Sequence, residues 1–210
     1  MFKILIVDDH PLIREGLKKI LQTEMDFSVV GELGKGAEVG EFINRNECDL
    51  IILDINLPDR NGMDVLKDIK TLKPEISVLM LSILPEEQFA LRAIRSGASG
   101  YITKDGAPEE LINAIRKIAS GRRYVSEILA DKLAFDLSAK SDKILHEKLS
   151  DREFQILLLI GSGKSSKEIA HLLSISLSTV NTYKARIFEK MGMKTTIQLV
   201  HYVMQNNLLM

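Results

Sequence analysis

Five short apolar runs, at 3–7, 28–33, 50–53, 78–82 and 100–103, punctuate the first half of the chain. Runs of this length, rich in Ile, Val and Leu and nearly unbroken by polar residues, read as strands buried on both faces. Between them apolar residues recur at helical spacing: Ile13, Leu17, Ile20 and Leu21; Val65, Leu66, Ile69 and Leu72; Phe89, Ala90, Ala93 and Ile94; Leu111, Ile112, Ile115 and Ile118. Strands alternating with helices predict an α/β domain on a five-stranded parallel sheet covered on both sides. Pro11 and Pro108 suit the first turns of helices, and Gly97 and Gly100 mark the step into the fifth strand.

Gly121-Arg122-Arg123 breaks this pattern. A short helix is expected over 126–135, then a polar linker from Asp136 to Leu149. The tail reads as helix only. Ser150-Asp151-Arg152-Glu153 and Ser165-Ser166-Lys167-Glu168 are capping boxes, each placed before an apolar run. Ser174-Ile175-Ser176 forms a tight turn, a third helix runs from about 177 to 191 and stops at Gly192, and a fourth spans about 195–206. Short helices joined by a small turn form a helix-turn-helix, in a small all-α four-helix domain. The division expected is 1–120, a connecting stretch 121–148, and 149–210.

Composition sharpens this picture at one point. The formal net charge is −1, but residues 1–120 carry 15 Lys and Arg against 20 Asp and Glu, and residues 151–210 carry 7 against 4. An acidic front and a mildly basic tail point to modules with different partners. Cys48 is the only cysteine, which excludes an intrachain disulfide and a cysteine-rich metal site; it is expected to be a small buried side chain. Asp8 and Asp9 cut the first apolar run too early for a signal peptide, and no run reaches the ~18 residues of a membrane span, so a cytoplasmic protein is expected.

The candidate chemistry lies where the strands end. Asp8 and Asp9 follow the first strand, Asp54 closes the third, Ser82 closes the fourth, and Lys104 follows the fifth. Ligands of open α/β sheets bind outside the carboxyl ends of the strands. Three carboxylates there repel one another and call for a hard cation such as Mg²⁺, whose open positions take phosphate oxygens. Gly161-Ser162-Gly163-Lys164-Ser165 only superficially resembles a phosphate-binding loop, since Leu158 stands where the motif needs glycine. His10, His146, His171 and His201 show no ligand spacing and are expected at the surface or at helix caps.

The set Asp8, Asp9, Asp54, Ser82, Tyr101 and Lys104 resembles the receiver domain of bacterial two-component response regulators, over about 1–120. The resemblance implies a flavodoxin-like fold in which Asp54 accepts a phosphoryl group from a phosphohistidine of a sensor histidine kinase. It implies that Asp9, Asp54 and the backbone carbonyl of Asn56 bind Mg²⁺ directly and Asp8 acts through a water. Ser82 and Lys104 would hold phosphoryl oxygens, and Tyr101 would be an aromatic switch that turns inward. The family's proline after the lysine is replaced by Asp105, which leaves the geometry of the Lys104–Asp105 peptide open; Ser82 stands where many receivers have Thr. The resemblance also implies that Asn56 and Leu84 would flank the pocket and tune slow self-dephosphorylation, while Pro58 and Gly62 read as turn formers.

On the third tail helix, Val180, Ile187 and Met191 share one face with Phe188 beside them, so Asn181, Thr182, Ala185, Arg186 and Glu189 point away. Such a face can read base edges, with Lys164, Lys167, Lys184, Lys190 and Lys194 placed for phosphates. Lys184 lies near the apolar side and must snorkel outward. Leu149 to Glu153, Lys167 to Ala170, Ser178-Thr179-Val180 and Lys190-Met191-Gly192 resemble the LuxR-type output domain, and the whole chain resembles a NarL/FixJ-family regulator. That implies a third output helix in the major groove of double-stranded DNA, with Ser178, Thr179, Asn181, Thr182 and Ala185 in the interface, and a homodimer formed on phosphorylation or DNA binding, often through the fourth helix. His201 and Met204 are placed with Val200 and Val203 on a dimer face. Ala185, Tyr183 and Thr196 depart from common family residues, so base preference does not carry over. The rival readings are a receiver-controlled adaptor for RNA or protein, and a haloacid-dehalogenase-like phosphatase. The phosphatase needs a second Asp where Asn56 stands, and an amide cannot act as the general acid.

Overall fold

The computed structural model describes residues 1–83, 86–125, 145–206 and 208–209, with residues 86–88 described in their backbone only. The helix expected over 126–135, most of the linker and the position of Leu84 lie outside the described residues. The chain divides into two compact units, Met1–Leu133 and Ala134–Met210.

In the first unit the strands are β1 (Phe2–Val7), β2 (Phe27–Leu33), β3 (Leu50–Asp54), β4 (Ser77–Ser82) and β5 (Gly100–Thr103). They pair in parallel in the order β2-β1-β3-β4-β5. The helices are α1 (Pro11–Leu21), α2 (Val39–Arg45), α3 (Gly62–Leu72), α4 (Glu86–Arg95) and α5 (Pro108–Ala119). Alternate strand residues face opposite sides. Ile4, Ile6, Leu50, Ile52, Leu79, Leu81 and Ile102 form one core with Leu17 and Leu21 of α1 and Leu111, Ile115 and Ile118 of α5. All five residues of β3 are buried, as the central position of a sheet covered on both sides demands.

Helix α2 is an element the periodicity did not reveal. It has seven residues, opens from a 3-10 turn at Gly36–Glu38, and buries only Val39 and Ile43. Phe42 is accommodated because β2 offers a glycine beneath it: a Cβ on Gly31 would lie 2.5 Å from the ring. The stretch after α5 also differs from the expected linker at its start. Tyr124 stays on the sheet edge, its N–H donating to the Ser99 carbonyl at 2.8 Å and its hydroxyl meeting Glu110 at 3.2 Å. The Lys104–Asp105 peptide is trans, as are all the peptide bonds of the described residues.

The second unit opens on a 3-10 turn at Leu145–Lys148, within the expected linker, and continues with α6 (Asp151–Gly161), α7 (Ser166–Leu172), α8 (Leu177–Met191) and α9 (Thr196–Gln205). Ser150 and Ser165 form the two expected capping boxes, and Thr195 with Gln198 forms a third. Helix α6 is the core, buried continuously from Glu153 to Gly161. Gly161 ends it against Val203, where a Cβ would come within 2.5 Å, so the glycines of 161–165 serve packing and a turn. Gly192 ends α8 at φ +65. No helix among the described residues is long and apolar enough to cross a membrane.

Candidate functional site

The parallel register brings the expected residues to one edge of the sheet. Val7 pairs with Leu53, and Asp54 with Leu81, so the ends of β1, β3 and β4 lie side by side. Asp8, Asp54 and Ser82 are buried completely, and Asp9 is half-buried. Lys104 Nζ lies 2.7 Å from Asp8 Oδ2 and 2.7 Å from Asp54 Oδ2, so two carboxylates share one ammonium. Asp54 Oδ1 accepts the Asn56 N–H at 3.0 Å. The Lys104 N–H donates to the Ser82 carbonyl at 2.7 Å, which fixes the lysine's departure from β5.

Burial pushes the Asp54 carboxyl above its ordinary range; the Lys104 charge opposes this and the Asp8 charge adds to it. Burial pulls the Lys104 ammonium down, but the charges and hydrogen bonds of Asp54 and Asp8 outweigh it and hold the group above its usual range. Lys104 is therefore the resident counter-ion of the pocket.

The donor set fits a hard divalent ion. Ligand atoms from Asp8, Asp9, His10 and Asp54 all lie within 4.8 Å of one another. Asp8 Oδ2 and Asp9 Oδ1 are buried oxygens; Asp8 Oδ2 faces Lys104 Nζ at 2.7 Å and Asp9 Oδ1 faces His10 Nδ1 at 2.7 Å. Oxygen donors of this kind suit Mg²⁺.

Several placements add to the sequence reading. Tyr101, on β5, is buried, 1% exposed. His10 is exposed at the surface, as expected, and precedes α1 without a side-chain cap; its Nδ1 lies 2.7 Å from Asp9 Oδ1 and 3.1 Å from Asp8 Oδ1. Gly62 is more than a turn former, because a Cβ there would collide with the Asp54 carbonyl oxygen. Arg14 was not singled out from sequence; its Nη1 donates to the Asp8 carbonyl at 2.6 Å and its Nε faces Glu32 at 3.6 Å. Only its place one turn into α1, after the acids, could have signalled it.

In the second unit Val180, Ile187 and Met191 are buried, while Ser178, Asn181, Thr182, Ala185, Arg186 and Glu189 are exposed along α8. Thr179 is half-buried. Ser176 caps the helix, and its hydroxyl meets those of Ser178 and Thr179 at 2.7 Å each. The Thr182 hydroxyl donates back to the Ser178 carbonyl at 3.0 Å. Arg186 lies 5.9 Å from the Tyr183 ring centroid, and half-buried Lys184 has its Nζ 5.8 Å from that of Phe188. Lys164, Lys167 and Lys194 are exposed. Lys190 is exposed as well, but its Nζ binds the buried carboxylate of Glu153 at 2.6 Å, so this ammonium is spent inside the unit. His146 is half-buried rather than at the surface, with Nδ1 2.9 Å from the Tyr202 hydroxyl and its ring stacked on Phe154. Val203 is fully buried and cannot belong to a dimer face; the exposed residues of α9 include Ile197, His201 and Met204, beside half-buried Val200.

An acid pocket at the sheet edge and a helix-turn-helix unit together define a class, and comparison with known proteins places the chain in it. The family model of the response regulator receiver domain matches residues 4–116, and that of bacterial regulatory proteins of the luxR family matches residues 147–203. The chain belongs to the NarL/FixJ family of two-component response regulators, transcription regulators with a receiver and a LuxR-type DNA-binding domain, which are not enzymes in the usual sense. It is 31% identical over 209 residues to Response regulator UvrY of Escherichia coli (strain K12), covering 99% of this chain and 96% of the relative. It is 32% identical over 200 residues to Response regulator GacA of Pseudomonas aeruginosa, covering 95% and 94%. Among solved structures, RcsB of Salmonella enterica serovar Typhimurium, bound to promoter P1flhDC in the presence of the phosphomimetic BeF3−, matches at 25% identity and a TM-score of 0.63, over 96% of this chain and 98% of that one. The response regulator ChrA of a heme-sensing two-component system matches at 28% identity and a TM-score of 0.52, over 99% and 98%.

Proposed function

We propose that Asp54 is the phosphoacceptor of this regulator, that residues 1–120 form its receiver and 149–210 its output domain, and that phosphorylation controls DNA binding by the latter. The carrying observation is the pair of 2.7 Å contacts from Lys104 to Asp8 and Asp54 at the carboxyl end of the sheet. A carboxylate oxygen of Asp54 attacks the phosphorus of a kinase phosphohistidine; the P–O bond forms as the P–N bond breaks, and the imidazole leaves to take up a proton. Such transfer needs positioning and charge neutralisation rather than covalent help. Lys104 supplies a fixed positive charge, and Ser82 and Lys104 would hold phosphoryl oxygens. Asp9, Asp54 and the Asn56 carbonyl would hold Mg²⁺, with Asp8 acting through water; the ion supplies charge neutralisation for the incoming group. Asn56, an amide beside the acceptor, cannot serve as a general base, which fits slow self-dephosphorylation.

In the output domain, Asn181, Thr182, Ala185 and Arg186 of α8 face the bases, with Ser178, Thr179, Lys184, Lys194 and the flanking Lys164 and Lys167 toward phosphates. Lys190 acts indirectly, by holding α8 to α6 through Glu153. The exposed apolar side chains Ile197 and Met204 on α9 support a homodimer on DNA. A sensor histidine kinase and chromosomal DNA are cytoplasmic partners, and the regulator works there. The test is labelling by a small phosphodonor with Mg²⁺. Wild type becomes labelled and Asp54→Asn does not; equal labelling of that variant removes Asp54 from the role.

A further inference from the structure

Among the groups proposed to hold the ion, only Asn56 contributes through its backbone; the others use side-chain carboxylates at or just after strand ends. What fixes that loop is a matter of contacts. At its base, the Gly62 N–H donates to the Ile55 carbonyl at 2.9 Å and Asn61 caps α3 through the Met63 N–H at 2.8 Å. At its tip stands Asp59, an exposed residue whose carboxylate is nonetheless fully engaged. Oδ1 accepts the Gly36 N–H at 3.0 Å and Oδ2 the Ala37 N–H at 2.8 Å. These amides open the 3-10 turn after β2, where the turn itself offers no acceptor. Burial raises the Asp59 carboxyl, but these amides and those of Asp59 and Arg60 more than offset it, so it stays below its ordinary range.

The two loops meet on bare backbone. Gly36 is buried, and a Cβ there would lie 2.6 Å from Val65 Cγ2 and 2.9 Å from Arg60 Cγ. The other end of the β2 loop is tied to the acid pocket, the Asp8 N–H donating to the Leu33 carbonyl at 3.1 Å. Hydrogen bonds therefore join Asp8 to Leu33, Gly36 to Asp59 and Asn56 to Asp54 Oδ1, and the short chain segments 33–36 and 56–59 link them.

We propose that Asp59 is a positioning residue of the phosphoacceptor pocket: by clamping the β3–α3 loop to the backbone of Gly36 and Ala37 it sets the Asn56 carbonyl for the divalent ion without touching it. The role rests on the function proposed above. Outer groups that orient ligands typically change metal affinity by about tenfold or more when removed. The experiment is calorimetric titration of the full-length chain with MgCl₂, alongside thermal unfolding in metal-free buffer. Asp59→Ala binds Mg²⁺ about tenfold more weakly. Asp59→Asn, which keeps one acceptor oxygen but loses the charge, falls between it and wild type. Asp68→Ala, which removes a nearby acid that pairs with Arg60 instead, stays within about twofold.

Unchanged affinity in Asp59→Ala with a wild type that binds, a loss seen only in unfolding temperature, or an equal loss in Asp68→Ala overturns the clamp. Should Asp59→Ala fail to fold, the order of wild type, Asp59→Asn and Asp68→Ala decides it. A wild type that takes up no Mg²⁺ instead brings down the pocket reading itself, and the clamp with it.

Discussion

Lys104 and Lys190 show one device used at two scales of burial. Each lysine is an ammonium that keeps buried carboxylate in place: Asp8 and Asp54 for the first, Glu153 for the second. At Asp54 burial wins and the carboxyl is raised; at Glu153 burial also raises it, but the Lys190 and Ser150 hydrogen bonds overcome this and hold it below the usual range. A depressed carboxyl adds stability that is complete above its unfolded value and is lost as pH falls through its folded one. The second unit therefore loses stability on acidification below pH 4.5, the ordinary glutamate value. Glu153→Gln is less stable at pH 7 by about 1–3 kcal/mol and shows a shallower acid slope, measurable by denaturant titration at several pH values. A slope identical to wild type would show that Glu153 is not a linked group. Cys48 needs no role: burial pushes its thiol up to about 11, and Sγ lies 3.1 Å from the Leu50 carbonyl, as a small, inert, half-buried side chain.

At the level of elements, strands were the most legible feature, because covering a parallel sheet on both faces leaves little room for polar residues in Leu50–Leu53 or Val78–Leu81. The caps at Ser150 and Ser165 were legible for a local reason, since donor and acceptor sit three residues apart. Helix α2 was not, because seven residues with two buried positions carry too little periodicity. The acids of the pocket were readable from strand ends, whereas Arg14, the Lys190–Glu153 pair and the Asp59 clamp join residues that only tertiary register brings together. The turn of the helix-turn-helix carries a measurable strain. Ser174 has φ +50, which a side chain disfavours by about 1–2 kcal/mol, so Ser174→Gly stabilises the second unit by about 0.5–1 kcal/mol after its entropy cost. A destabilised variant in thermal unfolding would show that the serine side chain compensates. On α8, Arg186→Ala weakens duplex binding by about 1–3 kcal/mol in fluorescence anisotropy, and unchanged affinity would remove Arg186 from the interface.

For the whole molecule, the acidic first half and basic tail assign the two tasks to different units, with the Asp54 pocket in one and α8 in the other. A phosphoryl group at Asp54 affects DNA binding only insofar as it favours the binding-competent state over its alternative. The most direct measurement is duplex affinity of the full-length chain at fixed salt, with and without a small phosphodonor and Mg²⁺, for wild type and Asp54→Asn. The account predicts that the donor tightens wild type by about tenfold or more and leaves Asp54→Asn unchanged. Equal tightening of both proteins, or of neither, would contradict it.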